Sequence, residues 1–131
     1  MYLDSSSKTT AGVWISNGSP MACDQNDIEV LGRLISLAMI ESREGVSHPT
    51  KWKTVFEPML RLAGVKSFSV FVKAAKCVEI VFDHDEWIFT PTINRGSDQG
   101  FEPVMNKAVR ITHSEPTILA QTLLSTFNHS E

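Results

Sequence analysis

The sequence is short of the features that usually announce a function. Only two cysteines, Cys23 and Cys77, occur in 131 residues, too few for a disulfide scaffold or a four-cysteine zinc site. Apolar runs are brief: the longest, Leu37 to Ile40, is far below the length that spans a bilayer. The start, Met1 to Thr10, is rich in Ser and Thr and lacks an apolar stretch of signal-peptide length. Glycine and proline number seven and six, with no collagen-like period. There is no Gly-x-Ser-x-Gly elbow, no Gly-x-x-x-x-Gly-Lys phosphate loop and no His-Glu-x-x-His pair. With 42% hydrophobic and 21% charged residues, the chain is expected to fold as one domain, residues 1–131, in a reducing compartment. Residues 1–10 read as a flexible polar arm.

The net charge of −3 conceals an uneven distribution. Residues 47–76 carry six Lys or Arg against one acid, whereas residues 77–106 carry Arg95 against six acids. Such blocks are ordinarily solvated faces; the sharper reading is an acidic surface that meets a basic partner. The basic block is interleaved with Trp52, Phe56 and Phe68, but these rings fall on apolar faces that packing needs. Stacking on bases would require them exposed, and a pI near 5.8 argues against a dominant phosphate-binding surface.

Periodicity outlines the elements. Residues 12–16 read as a strand, ended by Asn17-Gly18-Ser19-Pro20. Asn26 and Glu29 form a capping box ahead of a helix striped by Ile28, Leu31, Leu34, Ile35 and Ala38, with Gly45 as its stop. Trp52, Val55, Phe56, Met59, Leu60 and Ala63 lie on one helical face, and Gly64 suits its C-cap. Pro58 predicts a kink, or two short helices meeting at Glu57. From Ser67 the period becomes two: residues 67–73, 77–83 and 86–90 read as an antiparallel meander, with a turn at Asp83-His84-Asp85. Residues 91–107 show no period and read as a long loop. Val109 and Ile111 suggest a further strand, and Ser114 caps a last helix striped by Ile118, Leu119, Leu123 and Phe127. The expected class is α+β: an antiparallel-dominated sheet of about five strands with about three helices packed on it.

Asp83-His84-Asp85-Glu86 is the densest set of possible ligands. Neighbours along a strand point to opposite faces, so all four converge only on a specially shaped loop. Cys77, within a strand pattern, reads as a packed hydrophobe and not a nucleophile. A small metal-dependent hydrolase or nucleotide-processing enzyme built on residues 83–86 is therefore the alternative reading, not the first.

The order of segments resembles the immunity proteins of bacterial contact-dependent growth inhibition systems. The resemblance spans roughly residues 11–127. It is carried by Gly12-Val13-Trp14-Ile15-Ser16, by Leu62-Ala63-Gly64-Val65-Lys66, and by Lys73-Ala74-Ala75-Lys76-Cys77-Val78-Glu79-Ile80. Trp87-Ile88-Phe89-Thr90-Pro91-Thr92 and Glu115-Pro116-Thr117-Ile118-Leu119 complete it. The segment 93–106 departs from the pattern, being more acidic and richer in glycine.

The resemblance implies a cytoplasmic, non-enzymatic protein without cofactor or metal. It implies one-to-one binding of a cognate C-terminal toxin domain, often a nuclease and in some systems one that cuts transfer RNA. It implies no direct nucleic-acid or membrane partner, and it leaves the oligomeric state open. Nuclease sites attract phosphate and are commonly basic, so carboxylates suit their inhibitor. The expected toxin-binding residues are Asp83, Asp85 and Glu86 at the hairpin, with Asp98, Phe101 and Glu102 in the long loop. Phe101 is the expected aromatic anchor, whereas Trp87 reads as core.

Overall fold

The computed structural model describes residues 1–131. Its first residues do not form an arm. Strands β1 (Tyr2–Leu3), β2 (Ser6–Thr9), β3 (Trp14–Ser16) and β4 (Met21–Ala22) follow in quick succession. β1 pairs with β4 and β2 with β3, both antiparallel. The alternation that builds β2 is present in the sequence, but hydroxyl side chains carry it. Ser5, Ser7 and Thr9 are buried while their neighbours are less so. Ser7 Oγ accepts from the Arg43 amide at 3.0 Å, and Thr9 Oγ1 bonds His48 Nδ1 at 3.1 Å. These partners satisfy Ser7 and Thr9, whereas the buried Ser5 hydroxyl has no partner.

Helix α1 (Ile28–Glu41) is capped by Asp27, which accepts from the Val30 amide. The expected capping box does not form. Asn26 bonds back to Asp24, and Glu29 pairs with Arg33 one turn on. The helix stops at Ser42, and Gly45 lies beyond it in β5 (Glu44–Val46), which joins β2 in parallel. The Pro58 break is observed. A 3-10 turn, Trp52–Val55, precedes α2 (Glu57–Ala63), and Pro58 occupies the first turn, where its missing donor costs nothing. Gly64 ends α2 with φ +69°.

Residues 67–73, expected as a strand, form a helix instead. In α3 (Phe68–Val72), Ser67 Oγ accepts from the Val70 amide at 3.3 Å, an N-cap. Phe68, Phe71 and Val72 then fall on one side at helical spacing, which accounts for Phe71 being out of phase with a strand.

The remaining strands are β6 (Val78–Asp83), β7 (Glu86–Asn94), β8 (Phe101–Pro103) and β9 (Val109–Ile111). β7 is the spine of this sheet. It pairs with β6 along one side; on the other, Trp87–Phe89 meet β9 and Thr92–Asn94 meet β8. The expected loop at 91–107 is thus mostly structured, with residues 95–100 left between strands. Helix α4 (Pro116–Phe127) follows, with Glu115 and not Ser114 at its N-cap; Ser114 Oγ accepts from Trp87 Nε1 at 3.0 Å.

α1 and α4 pack on each other and on β7. Leu31, Ile35, Phe89, Leu119 and Leu123 form the centre of the core, with Trp87 at its edge. Gly32 lets the helices touch: a Cβ there would lie 1.8 Å from the Pro116 carbonyl oxygen. The architecture is α+β, four helices and nine strands in antiparallel-dominated sheets. No helix is long and apolar enough to cross a membrane.

Candidate interaction surface

The turn joining β6 to β7 contains two residues, His84 and Asp85, with φ of +49° and +62°. Two successive positive φ angles define the type I′ geometry that matches strand twist. Asp and His enter this region more readily than most residues other than glycine. The strands hold Asp83 opposite Glu86, so the tip presents its acids on a rigid stem. Asp83 keeps 62% of its side chain exposed and lies 2.9 Å from His84 Nδ1. Asp85 is exposed as well. Glu86 differs, because Arg110 on β9 holds it at 2.8 Å. Beneath the tip Trp87 is buried, its ring 4.9 Å from that of Phe82, as a core residue.

The other expected site residues are elsewhere. Phe101 and Glu102 pair with Asn94 and Ile93, at the far end of β7 from Glu86. Eight residue steps along a strand separate those ends by roughly 26 Å. Glu102 is held by Arg95 at 2.6 Å, and Asp98 is exposed on the 95–100 segment. Backbone bonds from Arg95 to Gly100 and from Gly100 to Gly96 brace that segment. Asn94 Nδ2 ties it to the carbonyls of Val72 and Ala75 at 2.7 and 2.9 Å. The six residues therefore form two acidic sites at opposite ends of one strand. Phe101 is half-buried.

Neither cluster is arranged for metal chemistry: no three His, Cys, Asp or Glu side chains converge anywhere in the chain. The Cys77 thiol is pushed up to about 11, chiefly by burial, with Glu79 adding and the Thr92 hydroxyl opposing. A thiol so protonated is a poor nucleophile at neutral pH.

A third surface was not anticipated. A groove of about 2160 Å³ opens between β6 and the lobe formed by the 3-10 turn, α2 and α3. Its lining includes Trp14, Phe56, Phe68, Phe71 and Val78 to Phe82, together with residues of β1, α1 and α4. Trp52 and Phe56, assigned by periodicity to a packed face, are 49% and 37% exposed. Lys73 and Lys76 are exposed where the chain enters β6, at the basic end of the groove. The sequence signal was the coincidence of a strong apolar face with the basic block, in a helix that a proline shortens.

No family profile matches the chain, and no curated protein matches it. Among solved structures, the chain is similar to a protein of unknown function from Neisseria meningitidis, at 15% identity and a TM-score of 0.68. The alignment covers 99% of this chain and 88% of that one. At this identity the likeness shows a shared fold and transfers no residue's role.

Proposed function

We propose that this chain is an immunity protein that neutralises the C-terminal toxin domain of a contact-dependent growth inhibition system. It acts in the cytoplasm of the producing cell by non-catalytic, one-to-one occlusion. The observation that carries the reading is the β6–β7 tip, where Asp83 and Asp85 stand exposed on a rigid hairpin. Carboxylates fixed in this way can occupy the place of phosphates in a basic nuclease site without an ordering cost on binding. The sequence resemblance supplies the class of partner. Glu86 contributes less, since Arg110 already neutralises it.

The test is calorimetry and stopped-flow binding against the C-terminal fragment encoded by the gene directly upstream, together with a toxicity assay. Nanomolar one-to-one binding with loss of toxicity is expected. Replacing Asp83 and Asp85 by Lys should slow association about tenfold at low salt and change dissociation much less. No binding to that fragment overturns the assignment. Equal changes in both rates overturn electrostatic steering by the tip.

A further inference from the structure

β6 is the outermost strand of its sheet. It pairs with β7 from Val78 to Asp83 without a break in register, and no strand lies on its other side. No backbone group outside β7 bonds to residues 78–83. Open edges of this kind are normally blunted by lysine, proline or a bulge. Val78-Glu79-Ile80-Val81-Phe82-Asp83 contains none of these, and Glu79 is its only charge before the terminal Asp83. Val81 and Phe82 are 50% and 43% exposed.

Two further observations say what covers this edge. The first is area. The chain exposes 8185 Å². A compact monomer of its 14.6 kDa mass is expected to expose about 6,900 Å². The excess, about 1,300 Å², is a property of the whole chain, the open groove included. It is large enough to contain the roughly 800 Å² that one partner contributes to a standard interface. The second is charge. The chain enters β6 past Lys73 and Lys76 and leaves it through Asp83 and Asp85, all exposed. A strand basic at one end and acidic at the other is its own complement when antiparallel.

We infer that this chain forms a two-fold homodimer in which β6 pairs antiparallel with β6 of a second copy, joining two four-stranded sheets into one. Pairing centred on Ile80, whose backbone groups face away from β7, sets Lys76 opposite the partner's His84, beside the partner's Asp85, and symmetry repeats that contact. Each acidic tip then lies toward the lysine-bearing end of the other copy's groove. The dimer is measured with no toxin present and so is tested apart from the immunity reading; because it occupies Asp85, toxin binding through the tip belongs to the monomer. Lys76 separates the two, since it belongs to the dimer contact and not to the acidic tip.

Sedimentation velocity of the full chain from about 1 to about 300 µM reads the association directly. The expected result is a species of twice the chain mass that dominates at the upper end. Lys76→Glu and Asp85→Lys should each weaken the dimer about tenfold, and the combined swap should restore it to within about threefold. Val81→Lys should abolish it, with circular dichroism unchanged and melting unchanged at about 1 µM, where the wild-type chain is also monomeric. A chain that stays monomeric throughout, or a dimer indifferent to Lys76→Glu and Val81→Lys, overturns the inference. So do single swaps whose losses add instead of cancelling. A monomer that binds a toxin fragment through a Val81-sensitive contact assigns the edge to a foreign strand and overturns the dimer.

Discussion

The two parts of the molecule are built on different principles. Around β7, α1 and α4 the interior is centred on large apolar side chains, with Leu31, Phe89, Leu119 and Ala120 wholly buried. The hydroxyls buried beside them, Thr92, Thr126 and Ser130, are each hydrogen-bonded to a backbone carbonyl. In the N-terminal sheet the buried residues include Ser5, Ser7 and Thr9, and the lobe of α2 and α3 buries only Met59 and Val72. Yet the cleanest amphipathic period in the sequence belongs to that lobe. An apolar face therefore marks surface that must be covered, not surface already covered within the chain. The first part closes on itself; the second is held by hydrogen bonds and leaves its apolar face open.

Matched aromatic truncations should expose this difference most strongly. Phe89 has no exposed surface and belongs to the same buried cluster as Leu31 and Ile35 of α1 and Leu119 and Leu123 of α4. Phe89→Ala should cost about 4 kcal/mol in urea unfolding, the range for emptying a buried aromatic site. Phe56 is 37% exposed and stacks on Phe68 at 4.5 Å. Phe56→Ala should cost about 1 kcal/mol, mostly that ring contact. Equal losses would mean that the lobe is as tightly integrated as the core.

Two glycines sharpen the contrast. Gly32 faces backbone: an added methyl would press on the Pro116 carbonyl, which cannot swing aside as a side chain could. Gly32→Ala should cost about 3 kcal/mol by forcing α1 and α4 apart. Gly64 has open space around it, and its constraint is the left-handed φ of +69° alone. Gly64→Ala should cost about 1 kcal/mol. Thermal melts of the two variants give the ordering directly.

What could be read from the sequence follows the same division. α1, α4 and the β6–β7 hairpin were legible because their apolar residues repeat at the period of the element they build. Gly64 and Pro58 were legible because each has a single backbone consequence. β2 was not, because Ser7 and Thr9 carry its inward face and a hydrophobic period cannot register hydroxyls. α3 was not, because five residues of Phe, Ser and Val have strand propensity and too little length to display a helical period. Its helix depends on the Ser67 cap. The acidic candidates were legible as residues but not as an arrangement. Treating Pro91 as the start of a loop concealed that β7 runs on to Asn94, which places Asp98 and Glu102 far from Asp83 and Asp85.

The smallest expected effect tests the hydrogen-bonded side of the comparison. Asp4 lies between β1 and β2 with its carboxylate bonded by Ser16 Oγ and by the Ser5 amide. Burial raises its pKa above 3.8, the two hydrogen bonds oppose the shift, and Glu41 adds to it. The folded chain therefore keeps this proton at pH values where the unfolded chain has released it. Stability falls as pH rises from 3.8 through the folded value, and the penalty is complete above it. Asp4→Asn removes the titration while keeping a side-chain oxygen that can accept from Ser16 or from the Ser5 amide. The variant's melting temperature relative to wild type should rise from pH 4 to pH 7, with a flatter dependence across that window. A difference that stays constant between those pH values would show that hydrogen bonding to Asp4 fully offsets its burial. The N-terminal sheet would then hold its buried polar groups without electrostatic strain.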